Sequence, residues 1–501
     1  MSKKILLVEP KTRTSYPPLG LMKIATYHKL LGDEVHFVIG KDRHSQMQMW
    51  DYIYITSVFT YDFKSLIDTV HFYSDNLFNF ERIQIGGISA TLLAEDVEKA
   101  TGITPHKGLL DSEDLFLRDC ATRDGELSYL LDCGACIDNL PPDYSIFDEK
   151  QRAKYSKVVD NAFFFFATKG CPNKCGFCAV QTLEPKYKKY LPVTKRVDYM
   201  RKHFGDRAGL LLLDNNIAAS TKYYDILDEI IDCGYGAGAK MLSLKNGRKT
   251  YKHRYVDFNQ GVDLRLMDER KMKKMAQIAI KPLRLAFDDI ALEERYEDKM
   301  RLAIDCGIDN LSNYMLYNFK DKPADLYRRF EVNMRILNDH PDTKIFSFPM
   351  RYSPIQETHR KYIGEHWSKR EVRATQLVLN ATHGIVSHKR KFFRRAFGHD
   401  QRTFEKQLFL PYDYIINRDI CEYDTGLIAQ WHKDFDKLAS TELSEFKSIV
   451  RDGIVKEIPT TSNMKINKLL EHYEGEYASI RKINEFANRV KLVQQKDENV
   501  A

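Results

Sequence analysis

Three cysteines on one short loop are the residues of this chain best suited to chemistry. Cys171, Cys175 and Cys178 lie in the run Ala167-Thr168-Lys169-Gly170-Cys171-Pro172-Asn173-Lys174-Cys175-Gly176-Phe177-Cys178. A closed tetrahedral zinc site takes four ligands, and three thiolates cannot complete one. Three can bind three irons of a 4Fe–4S cluster and leave the fourth iron open. An open metal position is what a catalytic site needs. A zinc loop and buried free thiols are the plainer readings of the same residues.

The loop needs a support. Phe163-Phe164-Phe165-Phe166, just before it, is short and wholly apolar and reads as a buried strand. Pro172, Asn173 and Gly176 then break regular structure. Further strand candidates follow at Gly209 to Leu213, Tyr255 to Phe258, Leu283 to Phe287, Asn313 to Tyr317 and Lys344 to Phe348. Helical patterns, such as Met267 to Ala279 and Ala324 to Asn338, separate them. Each strand is apolar inside and turns polar at its carboxyl end: Asp214-Asn215-Asn216, then Asn259-Gln260-Gly261-Val262-Asp263-Leu264-Arg265, Asp288-Asp289, Asn318-Phe319 and Pro349-Met350-Arg351-Tyr352. One such end is an ordinary cap or turn. Five on the face that carries the cysteine loop predict a polar pocket, because active sites of parallel barrels lie there.

The first 110 residues alternate strand and helix: strands at Lys4 to Glu9, Glu34 to Val38, Tyr52 to Ser57 and Arg82 to Ile85, helices from Gly20 to Leu31 and through Tyr73. That is the pattern of a doubly wound parallel sheet, whose ligands bind beyond the carboxyl ends of the strands. Gly86-Gly87 follows the fourth strand and is a candidate ligand turn, or simply a strand-to-helix turn.

Cys-x3-Cys-x2-Cys after a strand resembles the signature of the radical SAM superfamily. The resemblance implies a 4Fe–4S cluster on Cys171, Cys175 and Cys178 and S-adenosylmethionine (SAM) chelating the open iron. Reductive cleavage of SAM would then give a 5′-deoxyadenosyl radical. It implies that Phe177 leans on the adenine. Asp214, Asn215 and Asn216 stand where relatives receive the SAM amino group, although this chain lacks their Gly-Gly-Glu. Gln260, Asp263 and Arg265 stand where relatives hold the SAM ribose and carboxylate, and Asp288 where they often carry a Glu. The N-terminal region resembles the cobalamin-binding-type domain of many such enzymes, through Pro17-Pro18-Leu19-Gly20-Leu21-Met22, Leu30-Leu31-Gly32-Asp33-Glu34-Val35 and Ile85-Gly86-Gly87-Ile88-Ser89-Ala90-Thr91. Leu140-Pro141-Pro142-Asp143-Tyr144 resembles the segment that leads into their barrel. There is no Asp-x-His-x-x-Gly to supply a lower axial histidine, so cobalamin is an open expectation.

The expected organisation is a cobalamin-binding-type domain at 1–110, a connector at 111–160, a partial (β/α)6 barrel at 161–355 and a mostly helical extension at 356–501. The expected function is reductive SAM cleavage for modification, methylation included, of a small-molecule or nucleic-acid substrate, with an electron donor such as flavodoxin or ferredoxin. A tRNA methylthiotransferase-like enzyme and a zinc-stabilised nucleic-acid-binding protein are the alternatives. Against the first, the N-terminal domain lacks that family's cysteine set.

Composition bounds these readings. The chain has 501 residues, 43% of them hydrophobic, and a formal charge of +7. No apolar run approaches the ~20 residues of a membrane span. Met1-Ser2-Lys3-Lys4 runs straight into a strand without a leader pattern, so a cytoplasmic protein with no membrane partner is expected. Nine cysteines with three in one loop fit a reducing compartment. Cys133 and Cys136 form a second pair, read as unligated thiols. Lys186, Lys188 and Lys189 follow the cysteine loop and are candidate contacts for an anionic substrate, or a solvated loop. Lys240 to Arg254, with six Lys/Arg and no acid, leads into a strand and belongs to the face opposite the pocket. His388-Lys389-Arg390-Lys391-Phe392-Phe393-Arg394-Arg395 interleaves bases and aromatics: a phosphate-binding patch, or a helix with its Phe pair packed inward. Trp367 and Trp431 read as packing anchors, Thr382-His383-Gly384 as a helix end, and the tail after Lys491 as frayed.

Overall fold

The computed structural model describes residues 2–76, 78–245, 248–453 and 459–474, so the tail after Lys491 lies outside the described residues. The chain forms two compact units. The first comprises residues 1–286, 298–312 and 353–362, and the second residues 287–297, 313–352 and 363–501.

The first unit opens with β1 (Lys4–Glu9), β2 (Glu34–Ile39), β3 (Tyr52–Thr56) and β4 (Ile83–Gly86). They pair in parallel in the order β2-β1-β3-β4. Ile5, Leu6, Leu7 and Val8 are all buried. A strand covered on both faces is a continuous apolar run for that reason. The helices Leu19–Leu30 and Phe63–Ser74 link the strands as expected. Strand order reverses between β1 and β3, the switch point where such sheets bind ligands. The cavity there is about 10 Å³, lined by Glu9 to Thr12 and Thr56 to Val58 among others.

The Gly-Gly turn has a structural explanation. Gly87 has φ +95°, and a Cβ on it would lie 2.4 Å from Thr56 Oγ1 and 2.9 Å from the Ser57 carbonyl oxygen. Gly86 has open space around it. Gly87→Ala is therefore expected to destabilise the chain by about 1–3 kcal/mol, and Gly86→Ala far less. Paired thermal denaturation curves check this.

Eight strands follow in chain order, six of them in the β/α run and two in a hairpin. β5 (Ala162–Phe165), β6 (Gly209–Leu212) and, after a hairpin, β9 (Tyr255–Phe258) form one parallel sheet. The hairpin is β7 (Lys240–Lys245) with β8 (Arg248–His253). β10 (Leu283–Ala286) follows β9 through parallel bridges at Val256–Ile280 and Val262–Leu285. β11 (Asn310–Tyr317) starts in the first unit beside β10 and ends in the second beside β12 (Lys344–Arg351). With intervening helices such as Thr194–Phe204, Tyr223–Ile230 and Pro323–Asp339, this is a succession of six β/α units, as in a partial barrel. The fold is α/β: a doubly wound sheet, the β/α run, then helices.

The hairpin departs from the sequence reading, which took the basic stretch simply as an approach to a strand. Lys240–Lys245 and Arg248–His253 pair as an isolated two-stranded ribbon, with Leu242, Leu244 and Tyr251 at 52%, 71% and 67% exposure. Its base is firmly held. Arg254 N donates to the Ala239 carbonyl at 2.9 Å, and the Arg254 guanidinium pairs with Asp206 (Nη2–Oδ2 2.6 Å) over the Tyr235 ring.

In the second unit, Arg329 is fully buried and gathers strand-end carbonyls. Its Nη1 donates to the carbonyls of Phe287, Asp288 and Leu316, and its Nη2 pairs with Asp321. Trp367 and Trp431 are buried, as expected of anchors. Trp367 Nε1 donates to the Asp321 carbonyl and Trp431 Nε1 to Tyr473 Oη. The helix Lys369–Ala381 ends at His383 (φ 56°) and Gly384 (φ 77°). No helix among the described residues is long and apolar enough to cross a membrane.

Candidate functional site at the carboxyl ends of the barrel strands

The cysteine loop leaves β5 at its carboxyl end, and the neighbouring strand ends tie it down. Asp214, at the end of β6, is wholly buried. Its carboxylate accepts from the Ala167 and Thr168 amides and from Thr168 Oγ1 (2.7 Å). Burial pushes the Asp214 carboxyl up to about 6, against the lowering effect of those hydrogen bonds. This residue therefore faces the backbone at the start of the cysteine loop. Gly170 has φ +73°, and a Cβ on it would lie 2.7 Å from the Lys186 carbonyl oxygen. The return segment 184–188 crosses that close: Lys169 and Lys188 exchange backbone hydrogen bonds at 2.9 and 2.8 Å.

Glu184 is the positioning residue that the sequence reading missed. Its Oε2 accepts from Gly170 N (2.6 Å) and from Asn215 Nδ2 (2.8 Å). Gln181 clamps the turn by donating to the carbonyls of Cys171 (2.8 Å) and Asn173 (2.6 Å). The sequence signal was faint: one acid after the loop, among lysines and tyrosines.

Asp263, beyond β9, is the hub. Its carboxylate accepts from Asn173 Nδ2 of the loop (2.8 Å), from Asn216 Nδ2 (3.3 Å) and from Arg265 Nε and Nη2 (2.8 and 2.9 Å). Burial raises this carboxyl, but the bonds from Arg265 and Asn173 and the guanidinium charge outweigh it, so Asp263 stays ionised below the usual range. Arg265 also interacts with Cys175. Asn216 Nδ2 reaches Cys171 Sγ at 3.5 Å, and Tyr187 Oη donates to the Asn216 carbonyl at 3.0 Å. Asn216 Oδ1 is buried without a hydrogen-bond partner. A buried acceptor left unpaired is costly and marks a place for a donor.

Other candidates lie as follows. Cys171, Cys175, Phe177 and Cys178 are half-buried, and Gln260 is exposed. Lys186 and Lys189 are exposed, and Lys188 lies 3.6 Å from Asp111. Asp288 belongs to the second unit, where its Oδ1 accepts from Leu316 N at 3.0 Å. The helix Ile88–Leu92, opened by Gly87, packs on the helix Val180–Leu183 behind the cysteine loop. Tyr16 is hydrogen-bonded to Asn259 at the end of β9 (3.1 Å). Burial pushes the Cys133 thiol up to about 11 and raises Cys136 as well, which leaves both protonated near neutrality.

Beneath the loop lies a buried charge triad. Lys169 (1% exposed) and Lys23 of the Leu19–Leu30 helix (4%) both bond Asp138 (8%). Both ammonium groups also sit over the Phe166 ring, at 4.6 and 5.4 Å.

Among the described residues, no three His, Cys, Asp or Glu side chains are arranged around a single metal ion. Thiolates sharing one zinc converge on a point at about 2.3 Å. Cubane ligands spread further, since each takes a different iron. Three thiolates could take three irons of a cubane and leave the fourth open.

The fold and this site define an α/β protein with a three-cysteine loop, braced by amides and carboxylates, at the carboxyl ends of its strands. No protein-family model matches the chain. Over 90 residues, 17% of the chain, it is 33% identical to bacteriochlorophyllide d C-12(1)-methyltransferase of Chlorobaculum tepidum, of which the match spans 19%. Among solved structures it is similar to the radical S-adenosylmethionine methyltransferase TsrM from Kitasatospora setae with cobalamin and a [4Fe-4S] cluster bound. That match has a TM-score of 0.46 and 13% identity, over 71% of this chain and 77% of that one. TsrM with tryptophan substrate and aza-SAM bound gives 0.46 and 12%, over 75% and 77%. HydG, a maturase of the [FeFe]-hydrogenase, gives 0.32 and 15%, over 76% and 97%.

Proposed function

We propose that this chain is a radical SAM enzyme. It would hold a 4Fe–4S cluster on Cys171, Cys175 and Cys178 and cleave SAM reductively to modify a small-molecule or nucleic-acid substrate. The observation that carries this reading is the braced three-thiol loop at the carboxyl end of β5, with the unpaired Asn216 Oδ1 beside Cys171. The short match to a methyltransferase favours methylation as the modification.

Bound there, the cluster would supply the electron for reductive cleavage of the SAM sulfonium, with methionine as the leaving group. The chain's own residues prepare the place. Asn216 Oδ1 accepts from the SAM ammonium and so satisfies its own buried acceptor. Asp263 fixes the loop through Asn173 and holds the Arg265 fork, a group suited to a carboxylate. Glu184 and Asn215 keep the return segment against Gly170. The apolar interiors of β5 and β6 keep water from below. Electrons would come from a flavodoxin- or ferredoxin-type donor. Cobalamin belongs to this reading as a second cofactor, with the carboxyl edge of the N-terminal sheet as its seat. The switch-point cavity of about 10 Å³ has room for about one water, so the corrin would rest against that edge and not within it. Titration with hydroxocobalamin, followed by absorbance, tests it directly.

The deciding experiment is anaerobic. Protein reconstituted with iron and sulfide, then given dithionite and SAM, is expected to release 5′-deoxyadenosine. Loading of zinc alone, with no SAM product, overturns the proposal in favour of a zinc-stabilised binding protein. A second expectation concerns affinity. Asn216→Ala should weaken SAM binding about tenfold, the loss of one charge-assisted hydrogen bond, with iron content retained. Asn216→Asp, which keeps an acceptor, should recover most of it. Equilibrium dialysis with labelled SAM measures both.

A further inference from the structure

We propose that the groove between the helices Pro323–Asp339 and Arg390–Phe397 of the second unit is a binding site for a phosphate monoester. The groove has a volume of about 200 Å³. That is room for a phosphoryl group with a sugar-sized substituent and too little for a large ligand. Arg335 and Asn338 line it from one helix, and Arg390 and Arg394, one turn apart, from the other, with His399 nearby. The floor is aromatic: Tyr327 and Phe393 lie nearly parallel, with centroids 5.7 Å apart.

The charges are unevenly compensated. Arg335 Nη2 already pairs with Glu293 (2.9 Å) and Glu297 (2.7 Å). Arg390 donates to the Asn338 amide oxygen at 2.6 Å, which leaves its charge uncancelled. The half-buried Arg394 guanidinium has no hydrogen-bond or ion-pair partner among the described residues. Glu331 is the one acid in the lining, and burial raises its carboxyl, although Arg335 lowers it. Two guanidinium forks at i and i+4 on one helix, neither of them in an ion pair among the described residues, match the oxygens of one dianion.

The same geometry bears on the two sequence readings of residues 388–395, a phosphate-binding patch or a helix with its Phe pair packed inward. Phe393 and Phe397 are buried against Phe330, so they are withdrawn from stacking on bases. The next cation, Arg395, is spent on Asp419 and Glu422. Lys389, Lys391 and Phe392 are exposed outside the lining of the groove, and RNA binding tests that surface separately.

The test uses the full-length protein and three probes: inorganic phosphate, ribose 5-phosphate and a single-stranded 20-nucleotide RNA. Titration calorimetry is run in 50 and 200 mM salt. Ribose 5-phosphate is expected to bind, and Arg394→Gln or Arg390→Gln to weaken it about tenfold or more, with melting temperatures unchanged. Inorganic phosphate is expected to compete. Equal affinity in the variants and the parent overturns the proposal, as does no binding of either phosphate. RNA binding that is tighter than ribose 5-phosphate and falls steeply with salt overturns it too, in favour of a nucleic-acid surface.

Discussion

Cys175→Ala is expected to lose iron, sulfide and SAM cleavage together, each to background. The thiol is one of three in a set with no spare ligand, and a cluster held by two would be lost on handling. The loop itself should survive. Its bonds to Glu184, Gln181 and Asp263 do not pass through Cys175 Sγ. Compared as apoproteins, the variant and the parent should therefore match in circular dichroism and melting temperature, so a loss of activity cannot be assigned to unfolding. Cys133→Ala, in the protonated pair, should keep the full iron content. SAM cleavage that persists in the Cys175 variant would refute the enzyme reading, because no other thiol stands on that loop to replace it.

Asp138→Asn should be the most damaging polar substitution beneath the site. It leaves the Lys23 and Lys169 ammonium groups buried with no counter-charge, a change expected to cost about 3–5 kcal/mol. Lys23→Met removes one of those charges and should restore part of the loss in the double variant. Burial lowers the Lys23 amine to about 8, against the opposing pull of Asp138. The sign follows from proton counts. Between pH 8 and the unfolded value of 10.5, the unfolded chain binds the proton and the folded chain does not. Parent stability should therefore gain from this group as pH rises through that window, by about 3 kcal/mol at most. Below pH 8 both states hold the proton, and the window closes. Lys23→Met should lack the gain. Urea denaturation at pH 7.5, 9 and 10 measures it, and parallel curves for parent and Lys23→Met would refute the assignment.

The strand frame was legible because its signals are local. A run of four phenylalanines followed four residues later by Gly-Cys-Pro marks a buried strand breaking into a loop, and the polar ends of the later strands mark their own limits. β11 and β12 extend beyond the segments read from pattern, by three residues at the start of β11 and three at the end of β12. What the sequence could not show is the direction in which a polar strand end points. Asp214 and Asn216 are two residues apart, yet one turns to the backbone behind the loop and the other to Cys171. That choice depends on how β5 and β6 pair, which is tertiary information. Glu184 is invisible for the same reason. The Lys23–Asp138 pair spans 115 residues of chain, a separation no periodicity reports. The hairpin was missed because its charge obscured its alternation: Leu242 and Leu244 share one face of the ribbon with Tyr251, and the lysines around them suggested a solvated approach.

That hairpin also makes the chain separable at one place. Ala239 and Arg254 meet across a 2.9 Å hydrogen bond, so β7 leaves the fold and β8 re-enters it at nearly the same point. Their excision would need only a tight turn, and the register of β9 against β6 would be kept by bonds that lie outside the ribbon. The position is accordingly a natural socket for a fluorophore, an affinity handle or a foreign segment, far in sequence from the cysteine loop and joined to the body by one anchored arginine.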